Sequence, residues 1–116
     1  MEYFGFTETD KFRLRAAKLI GEDEIAYLQF VLCEHPLDGK VIQASGGIRK
    51  LRWSLSGRGK RGGARVIYYF ALSDERIILL DIYSKNQKAD LTRNEIRELR
   101  VTVDEWLEQI RIPKKK

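Results

Sequence analysis

Four consecutive large aliphatic residues, Ile77-Ile78-Leu79-Leu80, limit the fold of this chain more tightly than any other feature. A strand points successive side chains to opposite faces, so an unbroken apolar run in a strand needs cover on both sides. The segment 76–83 is therefore predicted to be a central strand of a sheet. Two strands are expected to precede it. Over 48–55 the pattern has period two, with Leu51, Trp53 and Leu55 on one side and Lys50, Arg52 and Ser54 on the other. Over 65–72 the β-formers Val66, Ile67, Tyr68, Tyr69 and Phe70 follow one another. A glycine-rich basic turn at 56–63 joins these two strands, and Ser73-Asp74-Glu75 makes a tight turn into the third. The short apolar segment at 3–6 is a candidate edge strand.

The other apolar residues recur at helical spacing. Thr7 or Thr9 can cap a helix that presents Phe12, Ala16, Leu19 and Ile20, and Gly21 breaks it. A second helix opens with Glu22, Asp23 and Glu24 against the positive end of its dipole. It is apolar nearly all round over 25–33, which predicts burial on every side. His35-Pro36 ends it, because the residue before a proline is pushed out of the α region. Thr92-Arg93-Asn94-Glu95 fits a capping box and opens a third helix, with Ile96, Leu99, Val103, Trp106, Leu107 and Ile110 on one stripe. The order β-α-α-β-β-β-α predicts an α+β fold. Its four-stranded sheet is antiparallel-rich, with two N-terminal helices and one C-terminal helix packed on one face and the other face partly open. A chain of 116 residues makes one domain, expected over 1–112, followed by a basic tail at 113–116.

Charge is distributed unevenly along this frame. Between Asp38 and Asp74 there is no acidic residue across 35 positions, while eight are basic, so this third contributes +8 to a net charge of +5. A solvated surface interleaves both signs; a block of one sign is a site for polyanions. Cys33 is the single cysteine and can form no internal disulfide. No signal-like or membrane-length apolar stretch is present, so a cytoplasmic location without membrane contact is expected.

Gly57-Arg58-Gly59-Lys60-Arg61-Gly62 matches the spacing of a dinucleotide fingerprint, but it joins two strands where that motif must lead from strand into helix. Nor is it a Walker loop, since Lys60 is followed by Arg61. Cys33 and His35 alone make no ligand set, so no metal or other cofactor is expected. A better constellation lies on the strands. Lys50 and Arg52 share one face of one strand, Arg65 opens the next, and Tyr83, Lys85 and Lys88 come at the end of the third. Cations hold phosphates, and aromatic faces stack unpaired bases for about 1–3 kcal/mol each. Arg49, Arg58, Lys60, Arg61, Tyr68, Tyr83 and Lys88 are accordingly candidate RNA or ribosome contacts. Of Tyr68 and Tyr69, one must face inward.

Three blocks carry a family resemblance: 46–52 (Gly-Gly-Ile-Arg-Lys-Leu-Arg), 59–70 (Gly-Lys-Arg-Gly-Gly-Ala-Arg-Val-Ile-Tyr-Tyr-Phe) and 82–86 (Ile-Tyr-Ser-Lys-Asn), with the capped last helix after them. In this order they resemble RelE-type bacterial toxins of the RelE/ParE superfamily, and within it the HigB branch of type II toxin–antitoxin systems. The resemblance implies a compact RelE-like fold and a toxin that binds the ribosomal A site and cleaves messenger RNA there without a metal, inhibiting translation. A cognate antitoxin would hold it in check, with operator DNA bound only through the antitoxin complex. Carried over by position, the catalytic residues are Lys50, Arg52 and Arg65, with Lys85 from the basic cluster after the last strand. In such chemistry the RNA's own 2′-hydroxyl attacks the adjacent phosphorus. Arg65, a planar donor, suits the charge that develops on the phosphate. Lys50, crowded by Arg49, Arg52 and Arg65, is a candidate base, since like charges disfavour an ammonium. One departure stands out: many relatives carry a Tyr or His near the carboxyl end, and this chain has Trp106 in that region with neither. The alternatives are inhibition of DNA gyrase, as in ParE-type relatives, and a nucleic-acid-binding module without catalysis. The Lys50, Arg52 and Arg65 set speaks against the first.

Overall fold

A computed structural model, which describes residues 5–55 and 63–111, places the apolar run inside a five-stranded sheet. The elements follow as β1 (Gly5–Glu8), α1 (Asp10–Leu19), α2 (Gly21–Glu34), β2 (Lys40–Val41), β3 (Arg49–Trp53), β4 (Ala64–Ala71), a 3-10 turn (Leu72–Asp74), β5 (Arg76–Ser84) and α3 (Arg93–Arg111). The strand order is β1-β5-β4-β3-β2, with β1 parallel to β5 and every other pair antiparallel. None of the described helices is long and apolar enough to cross a membrane.

Two expectations need correction. The sheet has five strands where four were expected, because Lys40 and Val41 pair with Lys50 and Arg49. A strand of two exposed residues has no periodicity to read. More consequentially, helices cover both faces. On one, Phe12 and Ala16 of α1 and Leu28 and Leu32 of α2 pack on Val66, Tyr68, Ile77, Leu79 and Ile82. On the other, Leu99, Val103 and Leu107 of α3 pack on Ile48, Ile67, Ile78, Leu80 and Tyr83. Ile77 and Leu79 thus face one layer while Ile78 and Leu80 face the other, as an apolar run in a strand requires. The same requirement rules out a largely open second face.

Helix α2 is also less buried than its composition implies. Only Leu28 and Leu32 are buried, while Tyr27 and Phe30 are 59% and 53% exposed. The helix forms an outer layer, so only one side of it meets the sheet.

Thr9 is the cap of α1. Its Oγ1 accepts from the Phe12 amide at 3.1 Å and donates to the Leu80 carbonyl at 2.9 Å, tying the helix start to β5 just where β1 ends. Beyond that point β5 carries a bulge: Ile67 is opposite Asp81 but Tyr68 is opposite Leu79, leaving Leu80 as the extra residue. The buried Asp81 accepts two bonds from Arg15, at 3.0 and 3.2 Å, which fixes the second half of β5 against α1.

The loop before β3 docks the third helix. Ala44, Gly46 and Gly47 have positive φ of 60°, 75° and 102°. Buried Ser45 holds the loop, donating to the Ile42 carbonyl at 2.6 Å and accepting from the Ile48 amide at 3.0 Å. Arg100 of α3 donates to the Gly46 carbonyl at 2.8 Å and lies over the Tyr69 ring at 5.4 Å. A Cβ on Gly46 would sit 2.6 Å from the Arg100 Nη1. Gly46→Ala is expected to lower stability by about 1–2 kcal/mol from the left-handed backbone alone, with the displaced Arg100 adding to the loss. A denaturant midpoint equal to the wild type's would contradict this docking role.

Candidate nucleic-acid interface

Alternation along β3 sorts its cations between the two faces. Lys50 and Arg52 point to the α3 side, while Leu51 and Trp53 pack on the α1–α2 side. Arg52 lies opposite Arg65 of β4, and Arg65 lies opposite Tyr83 of β5. Just past β5, the Lys85 amide donates to the Gly63 carbonyl at 2.9 Å, which brings that residue back beside the start of β4. Arg52, Arg65 and Lys85 therefore line one shallow cleft of about 250 Å³, together with Trp53, Ser54 and Gly63 and, among the described residues, no carboxylate. Among the described residues, none of these three cations has an ion-pair partner within 4 Å. Arg65 is half-buried, and its Nη1 donates to the carbonyl of its neighbour Ala64 at 3.3 Å.

Lys50 stands apart. Its Nζ meets the Asp90 carboxylate at 3.1 Å, from the segment that leads into α3. Asp90 also accepts from the Leu91 amide at 2.8 Å. That bond first, and Lys50 next, hold the Asp90 carboxyl below the usual carboxylate range. The cationic crowding expected around Lys50 is thus met by a counterion. Nothing in the sequence marks this residue, because the 40 positions between Lys50 and Asp90 are closed only by the fold.

The tyrosines behave differently from the stacking surface expected of them. Tyr68 is fully buried in the α1–α2 core. Its hydroxyl donates to the Pro36 carbonyl at 2.8 Å and accepts from the Gly39 amide at 2.9 Å, so it presents no face to a base. Tyr83 is 2% exposed, with Lys88 over its ring at 5.4 Å from the centroid, and it too cannot stack in this state. Burial, with the Asp90 carboxylate behind it, pushes the Tyr83 phenol up to about 12, so it holds its proton at neutral pH. Lys88 is paired with Glu95, whose carboxyl that contact, and the Thr92 amide after it, hold low. Glu95 and Thr92 form the capping box of α3 by exchanging bonds of 2.8 and 3.1 Å.

Arg49 is likewise not a free RNA contact. It points to the face opposite Lys50 and donates to the Leu37 and Gly39 carbonyls at 3.2 and 2.7 Å, holding the approach to β2. The loop cations Arg58, Lys60 and Arg61 lie outside the described residues. Of the sequence-derived set, the structure brings Arg52, Arg65 and Lys85 together, with Lys50, Tyr83 and Lys88 nearby.

The Lys50–Asp90 contact gives a testable consequence. Asp90→Asn leaves the Leu91 bond possible but removes the counterion. Binding to single-stranded RNA is expected to tighten, with a log–log salt slope steeper by about 0.7, the increment for one more phosphate contact. The check is a salt titration of RNA affinity for the two proteins. An unchanged slope would show that Lys50 does not meet the phosphate backbone.

Residues 32–111 match the family model described as the RelE toxin of the RelE / RelB toxin-antitoxin system. Among solved structures, a double Arg-to-Ala mutant of the E. coli toxin RelE in the free state superposes with a TM-score of 0.58 at 10% identity, covering 88% of this chain and 98% of that one. At that identity the likeness speaks for the fold.

Proposed function

The chain belongs to the RelE toxin family, the toxin half of a toxin–antitoxin system, and from that premise we propose that it cleaves messenger RNA in the ribosomal A site. Its partners on this reading are an antitoxin, the ribosome and the message, and the blocks 46–52 and 82–86 favour the HigB branch. The observation that carries the proposal is the Arg52–Arg65–Lys85 cleft, in which three cations converge with no carboxylate among the residues that line it. A scissile phosphate seated there is held on more than one side.

The reaction asks for little more than alignment and charge. The 2′-oxygen attacks the adjacent phosphorus as its proton leaves, the bond to the 5′-oxygen breaks, and that oxygen is protonated. The products are a 2′,3′-cyclic phosphate and a free 5′-hydroxyl. Holding the strand in line, by the ribosome and the basic groups together, supplies the entropic part of the acceleration. Arg65, half-buried and fixed on a strand interior to the sheet, stabilises the negative charge on the pentavalent phosphorus. No residue in the cleft is suited to take the proton strongly, which is why cleavage depends on the ribosome.

Primer extension on cellular messages after brief induction tests the proposal. New 5′ ends in codon frame are expected. Their absence, with double-strand breaks in DNA instead, would place the chain with the gyrase inhibitors.

A further inference from the structure

A second cleft lies on the other side of the turn that follows β5. It has a volume of about 470 Å³ and is walled by Lys18 and Leu19 of α1, Ile82 and Tyr83 of β5, and Gln87 and Lys88 of the turn. The topology creates it. Strand β1 pairs with β5 only as far as Leu79, so from the bulge onward that rim of β5 has no strand neighbour among the described residues and α1 stands alongside. Arg15 also reaches the cleft, but its guanidinium is held by the buried Asp81 and serves as part of the wall.

We propose that this cleft takes one nucleotide of the RNA strand beside the cleavage point, a reading that rests on RNA being the substrate. Its size falls within the roughly 300–1,000 Å³ typical of small-ligand sites. Leu19 offers apolar surface to the face of a base, and the Gln87 Nε2 offers a donor to its edge, its Oε1 already accepting from the Ser84 amide at 3.3 Å. Lys18 has no carboxylate within 4 Å among the described residues and is placed for a phosphate. The Tyr83 hydroxyl, on the ring that Lys88 covers, is buried and without a hydrogen-bond partner among the described residues. Such a group is costly to leave unmet, and a ligand atom is one way to meet it. A phosphate that engages Lys88 must part it from both the Tyr83 ring and Glu95.

Position ties this cleft to the first. Lys85 lines one and Gln87 and Lys88 the other, so the turn is the ridge between them. Arg65 in the first cleft is the cross-strand partner of Tyr83 in the second. A single strand laid over the turn engages both. An acidic peptide would also find cations here, but it would not use the apolar floor.

The test is a titration of the isotopically labelled full chain, followed by the amide signals of Leu19, Ile82 and Gln87. The probes are the four nucleoside 5′-monophosphates, inorganic phosphate and N-acetylglutamate, each added separately. At least one nucleotide is expected to move these signals and to bind about tenfold more tightly than phosphate, with Lys18→Ala weakening it by a similar factor. Lys11→Ala, on the same helix but away from the cleft, should change affinity by no more than about twofold. Equal affinity for nucleotide and phosphate, equal affinity for N-acetylglutamate, or shifts confined to residues around Arg65 would each overturn the proposal. The readout needs no cleavage, so it separates the two readings. Nucleotide binding without message cutting would overturn the endonuclease alone, and message cutting with a silent cleft would overturn the subsite alone.

Discussion

Replacing Arg65 by alanine is expected to slow single-turnover message cleavage by roughly 100- to 1,000-fold, the usual loss when one donor to a developing oxyanion is removed, while ribosome affinity changes little. On the proposed mechanism Arg65 acts where charge grows during the reaction, so its removal should appear in the chemical step rather than in binding. Arg65→Lys should restore little, because a point charge does not reproduce a planar fork of donors. The opposing view is that Arg65 merely pins strands together. Its one side-chain hydrogen bond within the described residues goes to the carbonyl of the adjacent Ala64, which ties nothing distant, and its backbone pairing with β3 and β5 survives truncation. Melting temperatures of the wild type and both variants should therefore agree closely. A folded, ribosome-bound Arg65→Ala protein that cuts at the wild-type rate would remove Arg65 from the chemistry.

Tyr68 carries the second large effect, and it concerns stability instead of catalysis. Its ring fills the core between β4 and the α1–α2 layer, and its hydroxyl satisfies both the Gly39 amide and the Pro36 carbonyl. Tyr68→Ala should cost about 3–5 kcal/mol, in the range for truncating a buried aromatic. Tyr68→Phe keeps the packing but strands two buried backbone groups, which costs about 1–3 kcal/mol. Equilibrium denaturation of both variants measures these losses. A Tyr68→Ala protein of wild-type stability but reduced RNA affinity would mean that the ring is a stacking surface after all. Gly39 supports the core placement independently, since a Cβ there would come within 2.8 Å of the Tyr68 ring.

Local signals in the sequence were legible where a single element decides them. The apolar run at 77–80 gave an interior strand, the alternation over 48–55 put Lys50 and Arg52 on one face, and Thr92 with Glu95 capped the helix that starts at Arg93. What failed needed partners distant in the chain. The stripe on α3 was visible, but where it lands depends on the docking loop at 42–48, which Ser45 holds and Arg100 reaches across 54 positions. Once α3 covers the second face, Tyr68 and Tyr69 each turn toward a core, which alternation over a sheet with one open face does not give. Arg49 and Arg52 look alike in sequence, yet parity alone sends the first to carbonyls near β2 and the second to the cleft. The second cleft left no trace in the sequence, because it arises from where β1 stops pairing.

The most direct measurement is single-turnover cleavage of one defined message, with purified ribosomes halted at a known codon and with the same RNA free in solution. On the ribosome, cutting is expected within the A-site codon, leaving a 2′,3′-cyclic phosphate on the upstream fragment, and it should vanish with Arg65→Ala. Free RNA should be cut far more slowly. Equal rates on free and ribosome-bound RNA, or a ribosome-bound message left intact by the wild-type protein, would contradict the assignment of this basic cleft as a ribosome-dependent ribonuclease site.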